Sequence, residues 1–457
     1  MALTTARPRR RKARRTLLLL CFFGLLLLSS FASFGWLRAI ASLRRAQPAP
    51  PPLSVFSGKR AYVLSHEMSP TGAPRVCVEL ALLLSGAGAR VTIAVPPGGE
   101  GTGTADALAS RAAEFGPGTE RLHFDSTASV AAAAANDLII VSTADPRQLA
   151  WIEAFRDAHP HFPALVWWVH EGAAVMSVFA PAVKARALAL MAKPGMLNSL
   201  IFPSAGTREW WFDALRASTP ATPLPAARFV HWGLPRWRED SFAAAARNGA
   251  ERAAVRASLG AADGDFVFLV IASYHPIKGH AGIARAFRAA RATCARPLRL
   301  VTAGRGLGEE GHFPQPELGW VRADPGVRLE GPTRRVAAYL AAADAVVSNT
   351  KAGGETWGLG VLEALVAGRP VLASRVGGAM EMLEHNVTAL LHDVAPSVQA
   401  SGDDETEVPQ LAAHMCAVAT DAALRERLAN AGEAHVARHL GQAHLEVALV
   451  TEFSHLV

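Results

Sequence analysis

From residue 59 onward, short and continuously apolar runs alternate with longer stretches whose apolar residues recur at helical spacing. In the first half the runs at 61–65, 90–95, 137–142, 164–170, 199–204 and 228–232 have strand length. The segments 73–84, 146–158, 181–191 and 206–217 between them read as helices. Residues 138–142 (LIIVS) and 164–170 (ALVWWVH) lack polar alternation, as expected of parallel strands covered on both faces. Residues 235–264 are less regular, with a helical piece at 250–259, and read as a connection. The plan then repeats, with strands at 266–272, 298–303, 327–329, 345–348, 370–373 and 389–392 and helices at 279–290, 334–342, 356–367 and 410–419. A late helix over 422–440 and another over 442–453 follow. This alternation predicts two doubly wound α/β domains, 59–235 and 265–441, joined by a linker 236–264 and followed by a tail helix 442–457. Ligands of such sheets bind beyond the carboxyl ends of the strands, so candidate chemistry is sought there.

The beginning of the chain differs. Arg7 to Arg15 (RPRRRKARR) is cationic, and the 22 residues Thr16 to Leu37 carry no charge. A bilayer core takes about 20 apolar residues as a helix. With the basic block ahead of the span, 1–15 is expected in the cytosol, 16–37 as an anchor, and everything after it in a lumen. The proline-rich 46–53 suits an extended stem over 38–58. A cleaved signal peptide and an organelle transit peptide are the alternatives. The same segment explains the charge. Of the 46 basic residues ten lie in 1–57 with no acidic residue, leaving 36 basic against 39 acidic groups, so the net +7 does not indicate nucleic-acid binding. Cys21, Cys77, Cys294 and Cys416 have the spacing of neither a zinc site nor a disulfide framework, and buried free thiols are expected at Cys77 and Cys416.

The densest chemistry lies in 353–374 (GGETWGLGVLEALVAGRPVLAS). Glu355 and Glu363 stand eight apart around Trp357, Gly358, Leu359 and Gly360, where a helix is expected to begin. A helix N-terminus preceded by glycines offers free N–H groups to an anion, with Leu359 in its first turn. Carboxylates beside a phosphate are repelled by it and suit hydroxyls better. Two hydroxyl acceptors flanking a phosphate cradle describe a sugar-nucleotide site. Lys278-Gly279 follows the strand 266–272 at another helix start, where a cation needs an anionic partner. Gly377 and Gly378, in VGGAME after the strand 370–373, permit close backbone approach to a sugar or phosphate. His170 and Glu171 close the strand 164–170, and Gly72 lies in SHEMSPTGAP after the first strand, on the acceptor side with Glu171. Trp210 and Trp211 read as packing, and Asn386-Val387-Thr388 as an N-glycosylation pattern close to the site.

The stretch from Glu355 resembles the Glu-x7-Glu motif of glycosyltransferase family 4, with Glu355, Gly358, Glu363, Ala364, Ala367, Gly368, Pro370 and Val371 matching; Trp357 stands for the usual Phe and Thr356 for Gly. The resemblance spans roughly 60–440 and is strongest over 266–392. It implies a two-Rossmann (GT-B) fold. It also implies retaining transfer of a sugar from a nucleotide diphosphate sugar, UDP-sugar foremost, to a hydroxyl of a glycan, lipid or small-molecule acceptor. By this likeness Glu355 contacts the donor sugar with His170 beside it, Glu363 holds the ribose, and Lys278 takes the diphosphate. Ser273 stands where relatives commonly carry an Arg five positions before the Lys. Basic and backbone donors can replace a divalent cation, so neither metal nor cofactor is expected. The anchor suits a type II protein of the Golgi or another secretory membrane, an organelle being the alternative. A sugar-nucleotide epimerase or hydrolase on the same fold, or a non-catalytic lumenal scaffold, are the rival readings.

Overall fold

The structure is a computed structural model that describes residues 53–69, 71–99, 103–220, 223–307, 315–394 and 407–457. The expected cytosolic tail, anchor and most of the stem lie outside the described residues. Among the described residues no helix is long and apolar enough to cross a membrane.

Seven strands form the first sheet: β1 (Arg60–Leu64), β2 (Arg90–Ala94), β3 (His123–Asp125), β4 (Leu138–Ser142), β5 (Leu165–Trp168), β6 (Ser199–Phe202) and β7 (Ala227–Phe229). Six form the second: β8 (Phe266–Ile271), β9 (Leu298–Ala303), β10 (Val327–Glu330), β11 (Ala345–Ser348), β12 (Val371–Ser374) and β13 (Leu390–His392). Every pairing is parallel. The orders are β3-β2-β1-β4-β5-β6-β7 and β10-β9-β8-β11-β12-β13. Both reverse beside their first strand, so each sheet has its switch point, and hence its crevice, at β1/β4 or β8/β11.

The apolar runs became strands because both faces are covered: β4 and β5 are buried at every position. Two residue clusters pack the outer faces of the sheets, one around Trp151, Trp167 and Trp211, the other around Phe266, Phe268 and Phe287. A third runs continuously through both domains, from Phe56 and Trp168 to Leu362 and Phe453.

Five helices position the site: α1 (Gly72–Gly86), α2 (Ala205–Ser218), α3 (Arg236–Arg247), α4 (His280–Thr293) and α5 (Leu359–Val366). Three expectations need correction. The segment read as an irregular connection holds two helices, α3 and Gly249–Ser258, because Asn248 ends one and caps the next by accepting from Glu251 N. The helix expected from 356 starts at Leu359, since Gly358 sits at φ 96°, outside helical space. Strand β3 was missed, being a three-residue edge strand without a buried position. Cys77 is buried as expected, whereas Cys416 is only half-buried and lies beside Cys294.

The last long helix, α6 (Gln442–Phe453), returns to the first domain. Phe453 meets Trp168 edge-on at 6.4 Å, and Glu452 pairs with Arg228 at 3.2 Å. The chain passes Gly233 so closely that a Cβ there would lie 2.3 Å from Leu440 O.

Candidate active site

The carboxyl ends of the two sheets face each other and enclose two adjoining cavities, each of about 290 Å³. The first lies against the second domain. It is lined by Ser273, Lys278, Arg305, Asn349, Glu355 and Glu363, with Arg75 of α1 reaching in from the first domain. Lys278 and Thr350 both donate to Glu355 Oε2, each at 3.1 Å. Gly279, after the lysine, has φ 62°, and a Cβ on it would lie 2.3 Å from Asn349 O. Asn349 in turn donates to Gly279 O at 3.1 Å and accepts from His392 Nε2 at 2.8 Å. This buried chain of contacts fixes the lysine turn from below. Leu359 and Gly360, the first turn of α5, complete the wall.

Glu363, one turn further along α5, carries a contact the sequence did not reveal. Its Oε1 accepts from Arg75 at 2.7 Å and also from Arg238 of α3. Arg238 also donates to Glu79 of α1 at 2.9 Å, and Trp232 Nε1 closes the set on Glu79 at 2.9 Å. Burial opposes the charge of Arg238, but the carboxylates of Glu363 and Glu79 outweigh it and hold it protonated. The expected ribose ligand is therefore part of an ion cluster joining the domains. Arg75, Glu79 and Arg238 were missed because their partners lie far along the chain.

The second cavity lies against the first domain, where His66, Thr143, His170 and Glu171 follow β1, β4 and β5. Gly72 faces the start of α5, its Cβ position 3.9 Å from Leu359 Cδ1. His170 stacks on Trp168 at 5.6 Å, and burial, with His66 alongside, pushes its imidazole down to about 3. Glu171 accepts from Ala144 N at 2.7 Å, yet burial raises its carboxyl to about 7. Glu355, Trp357, Gly358 and Leu359 line this cavity too, so the Glu355 loop is the partition between the two spaces.

Gly377 and Gly378, expected to let a sugar or phosphate approach, are not among the residues that line either cavity. They instead support the partition. At Gly377, φ 48°, a Cβ would lie 1.7 Å from Glu355 O, and at Gly378 it would lie 2.4 Å from Trp357 Cα. Gly377→Ala is therefore expected to displace Glu355, costing about 1–3 kcal/mol of stability and about 100-fold in kcat. Unchanged turnover in this variant would show that the loop's position is immaterial.

Across the cleft, Trp357 stacks on His231 at 4.3 Å and donates to Trp232 O at 2.8 Å. Glu381 accepts from Ala205 N at 3.0 Å and Gly206 N at 2.8 Å, capping α2 from the opposite domain, and meets His231 Nε2 at 2.8 Å. Burial would raise the Glu381 carboxyl, but His231 and the two N–H groups prevail and lower it. Ala174 N donates to Gly353 O at 3.0 Å, a further bond between the domains.

Asp263-Gly264-Asp265 has the Asp-x-Asp spacing of a metal motif, in a chain expected to carry no such motif and to need no metal. Its Asp265 is taken up by Arg299 at 3.2 Å and Ala262 N at 2.9 Å, and neither Asp lines a cavity. Among the described residues no group of three or more His, Cys, Asp or Glu could hold a metal ion.

Burial holds the imidazoles of His170, His280 and His392 at about 3, 4 and 3, below the ordinary 6.5. As pH falls below 6.5 the unfolded chain takes up these protons before the folded one, so stability is lost on acidification towards pH 4. Glu171, raised to about 7, works oppositely, its contribution fading as pH rises through 7, and burial also raises Glu79, Glu239 and Glu452, but these are four carboxyls against six lowered imidazoles once His66, His414 and His435 are counted. The thermal midpoint is expected to drop between pH 7 and pH 5; a flat midpoint would contradict this.

Residues 57–216 match the family model described as glycosyl-transferase family 4, and residues 265–403 match glycosyl transferases group 1. No curated protein matches the chain. Among solved structures, HepE of Anabaena in complex with UDP and glucose is 15% identical, with a TM-score of 0.66 over 86% of this chain and 99% of that one. Sucrose-phosphate synthase of Thermosynechococcus elongatus is 16% identical, with a TM-score of 0.63 over 87% and 99%. The trehalose-phosphate synthase of Burkholderia xenovorans, in complex with glucose-6-phosphate, is 13% identical, with a TM-score of 0.61 over 87% and 100%. With a family match on each Rossmann-like domain and the GT-B arrangement of both, the chain is a family 4 glycosyltransferase.

Proposed function

We propose that the protein transfers a sugar from UDP-sugar to an acceptor hydroxyl with retention of configuration. The observation that carries this reading is the Lys278–Glu355 pair beside the first turn of α5, in a cavity with further cations Arg75 and Arg305. The diphosphate lies on Lys278 and the N–H groups at the start of α5, which stabilise it as it departs. Ser273 removes one family cation, and Arg305, lining the same cavity, supplies positive charge nearby. Glu355 and His170 orient the donor sugar, and Glu363 takes the ribose hydroxyls. The departing diphosphate accepts the acceptor's proton on the same face, which retains the anomeric configuration. That HepE carries UDP and glucose in its solved complex supports UDP as the nucleotide.

Lys, Arg and backbone donors do the work of a metal ion in this scheme, so turnover persists in excess chelator. The segment 16–37 anchors the protein in a Golgi or other secretory membrane with the catalytic domains in the lumen. Calorimetric titration with UDP, GDP and ADP, then NMR of the product made from the matching sugar nucleotide, tests the reading. UDP binding and a product with the donor's anomeric configuration support it. An inverted product, or turnover of the donor that no acceptor changes, overturns it.

A further inference from the structure

Of the six asparagines in the chain only Asn386 begins an Asn-x-Ser/Thr sequence, Asn386-Val387-Thr388. The sequence puts this motif close to the Glu355 site, whereas the structure puts it at the opposite end of the sheet. It lies in the turn between the short helix Ala379–Met382 and β13, and so at the amino end of that strand. Both cavities lie at the carboxyl ends of the strands, and none of residues 384–389 lines either of them. At the carboxyl end of β13, His392 supports Asn349 beneath the lysine turn. The strand itself therefore stands between Asn386 and the proposed donor cavity.

The turn is built to stand in solvent. Residues 384–387 are exposed in succession, Val387 at 42%. Asn386 N donates to Ala389 O at 2.7 Å, and Thr388 N donates to Glu384 O at 3.0 Å. Thr388 is buried beneath them, its Oγ1 accepting from Glu384 N at 2.8 Å. Arg427, on the helix Ala422–His439, donates to Asn386 O and, at 3.0 Å, to Asn386 Oδ1. That holds the carbonyl side of the amide and leaves Nδ2 without a partner among the described residues. Asn386 has φ 60°, a left-handed conformation that Asn and Asp both tolerate. An aspartate would serve the turn and the Arg427 contact alike, so the exposed amide nitrogen is the one group that neither explains.

We propose that Asn386 carries an N-linked glycan. This rests on the lumenal placement of the two domains proposed above. The co-substrate is an oligosaccharide carried on a lipid diphosphate. The bond from its anomeric carbon to the diphosphate oxygen breaks, a bond from that carbon to Nδ2 forms, and the amide gives up one proton as the lipid diphosphate departs. Thr388 Oγ1 is buried and engaged once the turn has folded, so the transfer precedes folding of the turn. Afterwards the glycan projects from the exposed turn, remote from both cavities, and leaves the cleft open.

The test expresses the full chain in cells whose secretory pathway attaches N-glycans, and compares its mass before and after peptide N-glycanase. The expected result is a single glycan on the parent chain, with position 386 recovered as aspartate after the glycanase. Asn386→Asp is expected to abolish it while keeping the turn and the Arg427 contact. Thr388→Ser keeps a hydroxyl two residues on and is expected to retain the glycan. A control chain combines Val55→Asn with Asn386→Asp, which leaves Asn-Phe-Ser at 55–57 as its one acceptor sequence, on a residue 36% exposed near the end of the stem. A glycan on this control with none on the parent overturns the proposal and leaves the lumenal reading standing. No glycan on either chain sinks the lumenal reading and this proposal together. A glycan that survives Asn386→Asp overturns the assignment to this residue.

Discussion

Arg238→Met is expected to destabilise the protein by about 3–5 kcal/mol. The side chain is 7% exposed and lies between the carboxylates of Glu79 and Glu363, at 0% and 4%. Methionine keeps much of the volume and removes the charge, leaving two buried acids with Arg75 as their remaining cation. Removing one member of a buried pair costs more than the pair contributes, because the survivor is stranded in low dielectric. Glu79→Gln, placed on top, removes one stranded carboxylate and should recover part of the loss, which a double-mutant cycle reads directly. Chemical denaturation measures both. A loss under about 1 kcal/mol would show that water reaches the cluster. Because Glu363 also lines the cavity proposed for the donor, the same variant is expected to weaken UDP binding, tying the fold's stability to that proposed site.

Lys278→Ala is expected to lower kcat by about 100- to 1,000-fold, the usual cost of deleting one preorganised donor to developing charge. The lysine is held by Glu355 and seated on the Gly279 turn, so in the proposed transfer it meets the leaving diphosphate without reorganisation. Lys278→Arg should recover only part of the rate, since the guanidinium is longer and planar. The variant is also expected to leave Glu355 without its cation, so UDP-sugar binding weakens together with kcat. Steady-state kinetics at saturating donor separate these effects. A rate within threefold of the parent would mean the diphosphate is stabilised by the helix start and Arg305 without Lys278.

How much of this was legible beforehand differs between kinds of feature. The parallel strands were, because burial on both faces writes itself as unbroken apolar runs such as Leu138–Ser142. The Glu355 loop was, because its residues are contiguous and match a family motif. The edge strand His123–Asp125 was not, since a three-residue strand with no buried position leaves no pattern. Nor was the Arg238 cluster. Its partners lie 125 and 159 residues away, so only the folded chain brings them together. Gly377 was singled out correctly as a place of close approach, but what approaches is the backbone of Glu355. A glycine announces crowding without saying who the neighbour is.

The return of α6 to the first domain has a consequence for synthesis. Domains generally fold as they emerge from the ribosome, N-terminal first. Here the first of the two domains is finished only after the second, because the helix that meets Trp168 and pairs with Arg228 follows the second domain in sequence. Until Phe453 clears the exit tunnel, the nascent first domain carries an unsealed apolar edge, a natural place for a chaperone to wait.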